Sequence, residues 1–231
     1  AAAQQAAGPA TLARHAVFGR PPTTLAAARG LPARGFSSVA AKKAVKILEE
    51  EVRNEEEQYE QGKALKNFLR DSEFKLEEEG VTIKLERAVG DKVARIEWQL
   101  TNPFDPAADA EADPAAGAPV EATDFCVSLE DKSTSAGLAF YCSTQTGEDH
   151  RYVIGNVRAF RSAEERERIS SYNGPDFEDI DDALQEALDE YLTEVGVTSE
   201  VCNFIDAYAL DKEQREYIRW LKSIKAFMDS A

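Results

Sequence analysis

The spacing of apolar residues along this chain changes period twice, and that change fixes which elements it can form. Between about Ser72 and Phe160 apolar and polar residues alternate. Val81, Ile83 and Leu85 lead to a turn at "AVGD" (88–91), and Ala94, Ile96, Trp98 and Leu100 resume the pattern. Phe125, Val127 and Leu129 repeat it, as do Leu138, Phe140 and Cys142. Tyr152 and Ile154 read as one short strand, and Val157 to Phe160 as another. Alternation at period two puts one set of side chains on one face of a sheet. Connections as short as "EDKSTSAG" and "STQTGEDH" join antiparallel neighbours rather than parallel crossovers. With a weak first strand at 73–76, six or seven strands are expected.

On both sides of this region the period is 3.6. From Ala41 to about Gln61, Val45, Leu48, Val52 and Tyr59 share one helical face, and Gly62 weakens the helix near its end. After Arg161, a stripe of Phe177, Ile180, Leu184, Leu188, Tyr191 and Val195 predicts a helix from near Asp176, with Gly196 just past its C-cap. A last helical stretch runs from about Ser199 to Met228, and Asp211 with Gln214 could cap a restart near Leu210. Its stripe is wide, taking in Phe204, Tyr208, Tyr217, Trp220, Leu221 and Phe227. Such breadth suggests contact with two surfaces, the chain's own sheet and a neighbouring subunit.

Charge divides the chain unequally. The first 48 residues hold no Asp or Glu and seven Lys or Arg, so the rest carries 20 basic against 43 acidic side chains, a net of −23. An acid-free, Arg-, Ala- and Ser-bearing start has the composition of an organelle transit peptide. Arg34-Gly35-Phe36 followed by Ser37 resembles a matrix-protease site, with Arg34 two residues before Phe36, the last residue removed. The expected division is a mitochondrial transit peptide at 1–36 and a single acidic domain at 37–231; a chloroplast transit peptide and a plain basic tail are the alternatives. Within the domain, 102–122 combines four Pro with five acids and reads as a mobile acidic loop.

The search for chemistry returns little. His150 is the one histidine outside the basic start, which excludes multi-histidine metal motifs. There is no GxG, GxxxxGK[ST] or GxSxG. Cys126, Cys142 and Cys202 form no CxxC and read as packed, reduced thiols, as a matrix compartment would keep them. A nucleophile pair of Cys126 or Cys142 with His150 is the sharper and less favoured reading. The densest acidic knot, Asp176, Glu178, Asp179, Asp181 and Asp182, lacks calcium-loop spacing. It fits the solvated first turn of a helix, where the dipole favours acids and Asp176 would cap. Arginines at 158–168 are interleaved with glutamates and read as a charged linker. A body of −23 repels phosphate backbones, so RNA would be reached only through a partner, whereas basic proteins should be attracted. No catalytic residue, cofactor or metal is expected.

"YNGPDFEDIDDALQEALDEYLTEVGV" followed by "NFIDAYALDKEQREYIRWLKSIKAF" resembles the C-terminal signature of the mitochondrial acidic matrix protein family, also called the mitochondrial glycoprotein family. Tyr172, Gly174, Pro175, Phe177, Asp181, Leu184, Gln185, Tyr191, Leu192 and Gly196 carry it. Farther on, Phe204, Tyr208, Lys212, Glu213, Tyr217, Trp220, Leu221 and Phe227 continue the match. Val195 departs from the pattern, which has a basic residue before the glycine.

The resemblance implies an α+β fold: a twisted antiparallel sheet of about seven strands, flanked by one N-terminal and two C-terminal helices, in a ring-shaped homotrimer. Phe177, Leu184, Tyr191, Phe204, Tyr208, Tyr217, Trp220, Leu221 and Phe227 would pack the helices and the trimer. It also implies a non-enzymatic scaffold or chaperone of the mitochondrial matrix, linked to translation, ribosome assembly or oxidative phosphorylation. Its clients would be basic proteins such as ribosomal proteins or assembly intermediates. The expected partner-binding surface is acidic: Glu55, Glu56 and Glu57 on the first helix, Asp105, Asp109, Glu111 and Asp113 in the loop, and Glu178 and Asp182 near the signature. A fixed structural subunit of a respiratory complex or ribosome is the alternative.

Overall fold

A computed structural model of the chain describes residues 39–100, 122–145, 152–168 and 170–229. The expected cleavage residues Arg34, Phe36 and Ser37, the loop acids Asp105, Asp109, Glu111 and Asp113, and His150 lie outside them.

Helix α1 (Val39–Gln58) leads through Gly62 into a short α2 (Lys63–Asp71). Six strands follow: β1 (Lys75–Glu79), β2 (Thr82–Val89), β3 (Lys92–Gln99), β4 (Asp124–Asp131), β5 (Gly137–Thr144) and β6 (Tyr152–Phe160). They form one antiparallel meander in sequence order. A single helical turn pair, α3 (Ala163–Glu167), precedes a 3₁₀ turn at Phe177–Asp179. The chain closes with α4 (Asp182–Glu194) and α5 (Ser199–Asp229).

Two expectations are corrected. The sheet has six strands among the described residues, within the six or seven expected, and Tyr152–Phe160 is one strand rather than two. A bulge shifts the β5–β6 register between Tyr141 and Cys142, so that Ile154 and Val157 both face the core. The slip in alternation mimics a strand break. The final helix runs through Leu210 without a restart. α2, unmarked in the sequence reading, buries Leu65 and Phe68.

The core lies between one sheet face and the N-terminal half of α5. Ile83, Leu85, Ile96, Val127 and Phe140 are fully enclosed from the sheet side, and Val201, Phe204, Ile205 and Tyr208 close it from the helix side. Aromatic rings tie the layers together. Phe68 stacks on Phe204 at 4.1 Å between centroids, Phe204 on Tyr208 at 5.1 Å, and Trp98 meets Phe204 edge-on at 6.4 Å. Such pairs add roughly 0.5–1.5 kcal/mol each beyond burial.

The acidic knot resolves into a cap. Ile180 is extended, which separates the 3₁₀ turn from α4. Asp181, not Asp176, is the N-cap: its Oδ1 accepts from the backbone N–H of Ala183 (3.1 Å) and Leu184 (3.3 Å). The break also shifts the helical phase, so the Phe177–Leu184 spacing does not lie on one helix. Leu184, in the first turn of α4, is exposed rather than packed, and Leu192 is the fully buried residue instead. Asp181→Ala should cost about 1 kcal/mol, read as a denaturation midpoint lowered without a change in slope. At the other end of α4, Gly196 (φ +97°) donates to the Thr193 carbonyl and Val197 to the Leu192 carbonyl, a left-handed cap that favours glycine.

Candidate interaction surface

α1 buries no residue completely. Its stripe of Val45, Leu48 and Val52 is half-buried, as is Tyr59 just beyond it, and the helix packs antiparallel against the C-terminal half of α5. Polar contacts fix the register. The Tyr59 hydroxyl donates to Asp211 (3.1 Å) and Gln214 to Glu55 (2.6 Å). Lys222 pairs with Glu56 (2.6 Å) and Lys225 with Glu49 (3.2 Å). On α5, Ile218 and Leu221 are buried against this pair, and Tyr217 is half-buried. Trp220 and Phe227 are 57% and 75% exposed, and Ile47 on α1 is 55% exposed. Full burial of Tyr217 and Trp220 is therefore not a property of the single chain. Tyr217 instead stacks on Trp220 at 5.9 Å, forming an aromatic plate on the outside of the helix pair.

Where α5 crosses β1, an ionic hub joins helix to sheet edge. Lys212 is 1% exposed and lies 3.3 Å from Glu78 and 3.2 Å from Glu216. Glu78 also accepts from the Tyr208 hydroxyl (2.6 Å) and from Arg215 (2.7 Å). Arg215 reaches back to Asp211 (2.9 Å), which joins the hub to Tyr59, just past the end of α1. Hydrogen bonds from Arg215 outweigh desolvation and hold the Glu78 carboxyl down at about 2. Burial and the Glu78 hydrogen bond push the Tyr208 hydroxyl upward. Lys212 holds a role that no sequence motif assigns. Its position four residues after Tyr208, on the buried stripe, with Glu216 a further four on, is the signal that marks an internal ion pair.

The expected acidic surface is uneven. Glu55 and Glu56 are engaged with α5, whereas Glu57, Glu178 and Asp182 are exposed. The cysteines are not poised as nucleophiles. Burial pushes the Cys126 thiol up to about 12 and the Cys142 thiol higher still. Among the described residues no three His, Cys, Asp or Glu side chains converge on a metal position. No described helix is long and apolar enough to cross a membrane.

A helix–sheet–helix layout with a helix pair beyond the sheet can be compared with known proteins. The model of the mitochondrial glycoprotein family (MAM33) matches residues 48–228, from the middle of α1 to the last turn of α5. The chain belongs to that family. Two curated relatives match over short stretches. An uncharacterized mitochondrial protein of Arabidopsis thaliana is 43% identical over 56 residues, which is 24% of this chain and 22% of that protein. The mitochondrial acidic protein mam33 of Schizosaccharomyces pombe is 38% identical over 64 residues, 28% of this chain and 24% of that one. The matched stretches thus span about a quarter of those relatives' length. Two solved structures share the fold. A Leishmania major protein described as a sequence homologue of human p32 has a TM-score of 0.65 at 16% identity, covering 82% of this chain and 99% of its own. The p22 protein of Trypanosoma brucei has a TM-score of 0.64 at 20% identity, covering 83% and 100%. In this chain the hub joins Glu78 on β1 to α5, and the aromatic plate at Tyr217–Trp220 lies farther along α5.

Proposed function

We propose that this protein is a non-enzymatic acidic scaffold of the mitochondrial matrix that holds basic client proteins. The observation that carries this reading is the net charge of −23 beyond residue 48. A surface of that sign attracts cationic proteins rapidly and in a salt-sensitive manner. The names of the fission-yeast and plant relatives support the mitochondrial location. Affinity capture from mitochondrial extract at graded salt tests the role. Basic proteins should dominate at low salt and fall away as salt rises. A partner set that persists unchanged at high salt would instead mark a fixed subunit of a larger assembly.

The working form in this proposal is a homotrimer in which α1 and α5 pack against their copies. The aromatic plate supports it, since Trp220 and Ile47 expose apolar area along a helix pair already stitched by ion pairs. Trp220→Asp should convert a trimer-sized species to monomer in light scattering while leaving far-ultraviolet circular dichroism intact. A monomeric wild type would remove the trimer.

A further inference from the structure

The sheet face away from α5 carries a basic recess in a body that is otherwise strongly acidic. It measures about 400 Å³ and lies beside α3. Three guanidinium groups line it, from Arg158, Arg166 and Arg168, together with Tyr141, Asn156 and Asn173. Glu167 is the one acid among the lining residues.

Arg158 and Arg168 are held in a way that leaves positive charge in the recess. Arg158 is 5% exposed, and its Nη2 donates to the backbone carbonyls of Glu165 and Arg168, the latter at 3.1 Å. These partners are neutral, and its buried Nε has none. The Ser171 hydroxyl also donates to the Glu165 carbonyl (3.2 Å), so the carbonyl end of α3 is already satisfied. Arg166 is the neutralised member: it pairs with Glu130 at 3.2 Å, a carboxylate shared with Arg95, which also pairs with Glu86 at 2.7 Å. The second contact of Arg166, Glu167 at 2.9 Å, is mostly exposed. Arg168 has no carboxylate within ion-pair distance among the described residues. Beside them stand the Tyr141 hydroxyl and two carboxamides, all able to donate. The Oδ1 of Asn156 is buried without a partner.

Three guanidinium groups and several neutral donors around one concavity match an oxyanion. A carboxylate presents two oxygens and one charge. A phosphoryl group presents three oxygens and about two charges, the better match for this set. Fixing Arg158 through backbone carbonyls places its charge before any ligand arrives, which lowers the ordering cost of binding. We propose that this recess binds a phosphoryl group, either as inorganic phosphate or on a small phosphate monoester.

The test is a titration of the ¹⁵N-labelled full chain at low ionic strength, following the side-chain amides of Asn156 and Asn173. Inorganic phosphate, ribose 5-phosphate and acetate are the three probes. Saturable shifts at both amides are expected with a phosphoryl probe. Arg168→Gln, an exposed position, should weaken them about tenfold or more, while Arg219→Gln on α5 should leave them unchanged. Tighter binding of the ester assigns the site to a metabolite, tighter binding of phosphate to the free ion, and both support the proposal. Acetate binding as tightly, no saturation, or shifts indifferent to Arg168→Gln would overturn it.

Discussion

Replacing Gly137 by alanine should lower the melting temperature by about 6–12 °C, the largest effect expected of any single methyl group in this chain. A Cβ at this position would lie 1.9 Å from the Leu129 carbonyl oxygen and 2.7 Å from the Phe160 ring. The first contact is with backbone of the neighbouring strand, which cannot rotate away as a side chain can. β4 and β5 would have to separate where Glu130 pairs with Gly137. Overpacking costs typically 1–3 kcal/mol, and a backbone clash inside a central strand pair belongs at the upper end, about 3 kcal/mol. Gly62, with nothing within 4 Å of its would-be Cβ, supplies the control, and its replacement by alanine should change stability by less than about 1 kcal/mol. Differential scanning calorimetry on both variants checks the pair of values. Equal melting temperatures would mean that β4 and β5 are not in this contact.

The second large effect is expected at Glu78. Its removal leaves Lys212 buried with only Glu216, the Tyr208 hydroxyl without its acceptor and Arg215 with Asp211 alone. Breaking a buried ion pair from one side costs roughly 3–5 kcal/mol. The Glu78 side chain is 28% exposed and Glu216 remains, so Glu78→Ala should cost about 2–3 kcal/mol. Combining Glu78→Gln with Lys212→Met should recover much of the loss, because no unpaired charge is then left inside. The same carboxylate sets an acid dependence. Its folded-state value of about 2 lies below the ordinary 4.5. The stability it contributes is therefore fully present above about pH 5 and is lost as pH falls toward 2. Denaturant melts between pH 6 and 2 should show a shallower decline for Glu78→Gln than for the wild type. Parallel declines would assign the acid sensitivity to other groups.

What the sequence disclosed, and what it hid, follows from the range of the forces involved. The period-two runs around Ile83, Ile96, Val127 and Phe140 report directly which face of the sheet is buried, and those residues are enclosed. Gly196 announced its helix end because a left-handed cap favours one residue type. The bulge within β6 was hidden, since an inserted residue reads as the end of one strand and the start of another. Asp181 was passed over for Asp176 because five acids in seven positions offer several caps, and only the backbone at Ile180 selects one. The wide stripe of α5 reads as contact with the sheet and a neighbouring subunit; within the chain its second surface is α1. Composition could not show that Lys212 and Arg158 would be buried, because each depends on partners distant in sequence or on backbone carbonyls. Expected partner-binding acids also proved to be of two kinds. Glu55 and Glu56 hold α1 to α5, whereas Glu57, Glu178 and Asp182 face solvent.

If basic proteins are captured electrostatically, as proposed, the association rate constant must carry the salt dependence. A purified basic mitochondrial ribosomal protein, mixed with the full chain in stopped flow at about 10 mM and about 300 mM salt, should associate at least about tenfold faster at the lower salt. Replacing exposed Glu57, Glu178 and Asp182 together by their amides should lower the low-salt rate and leave the high-salt rate nearly unchanged. An association rate independent of salt, with affinity unaffected by those three substitutions, would contradict the account.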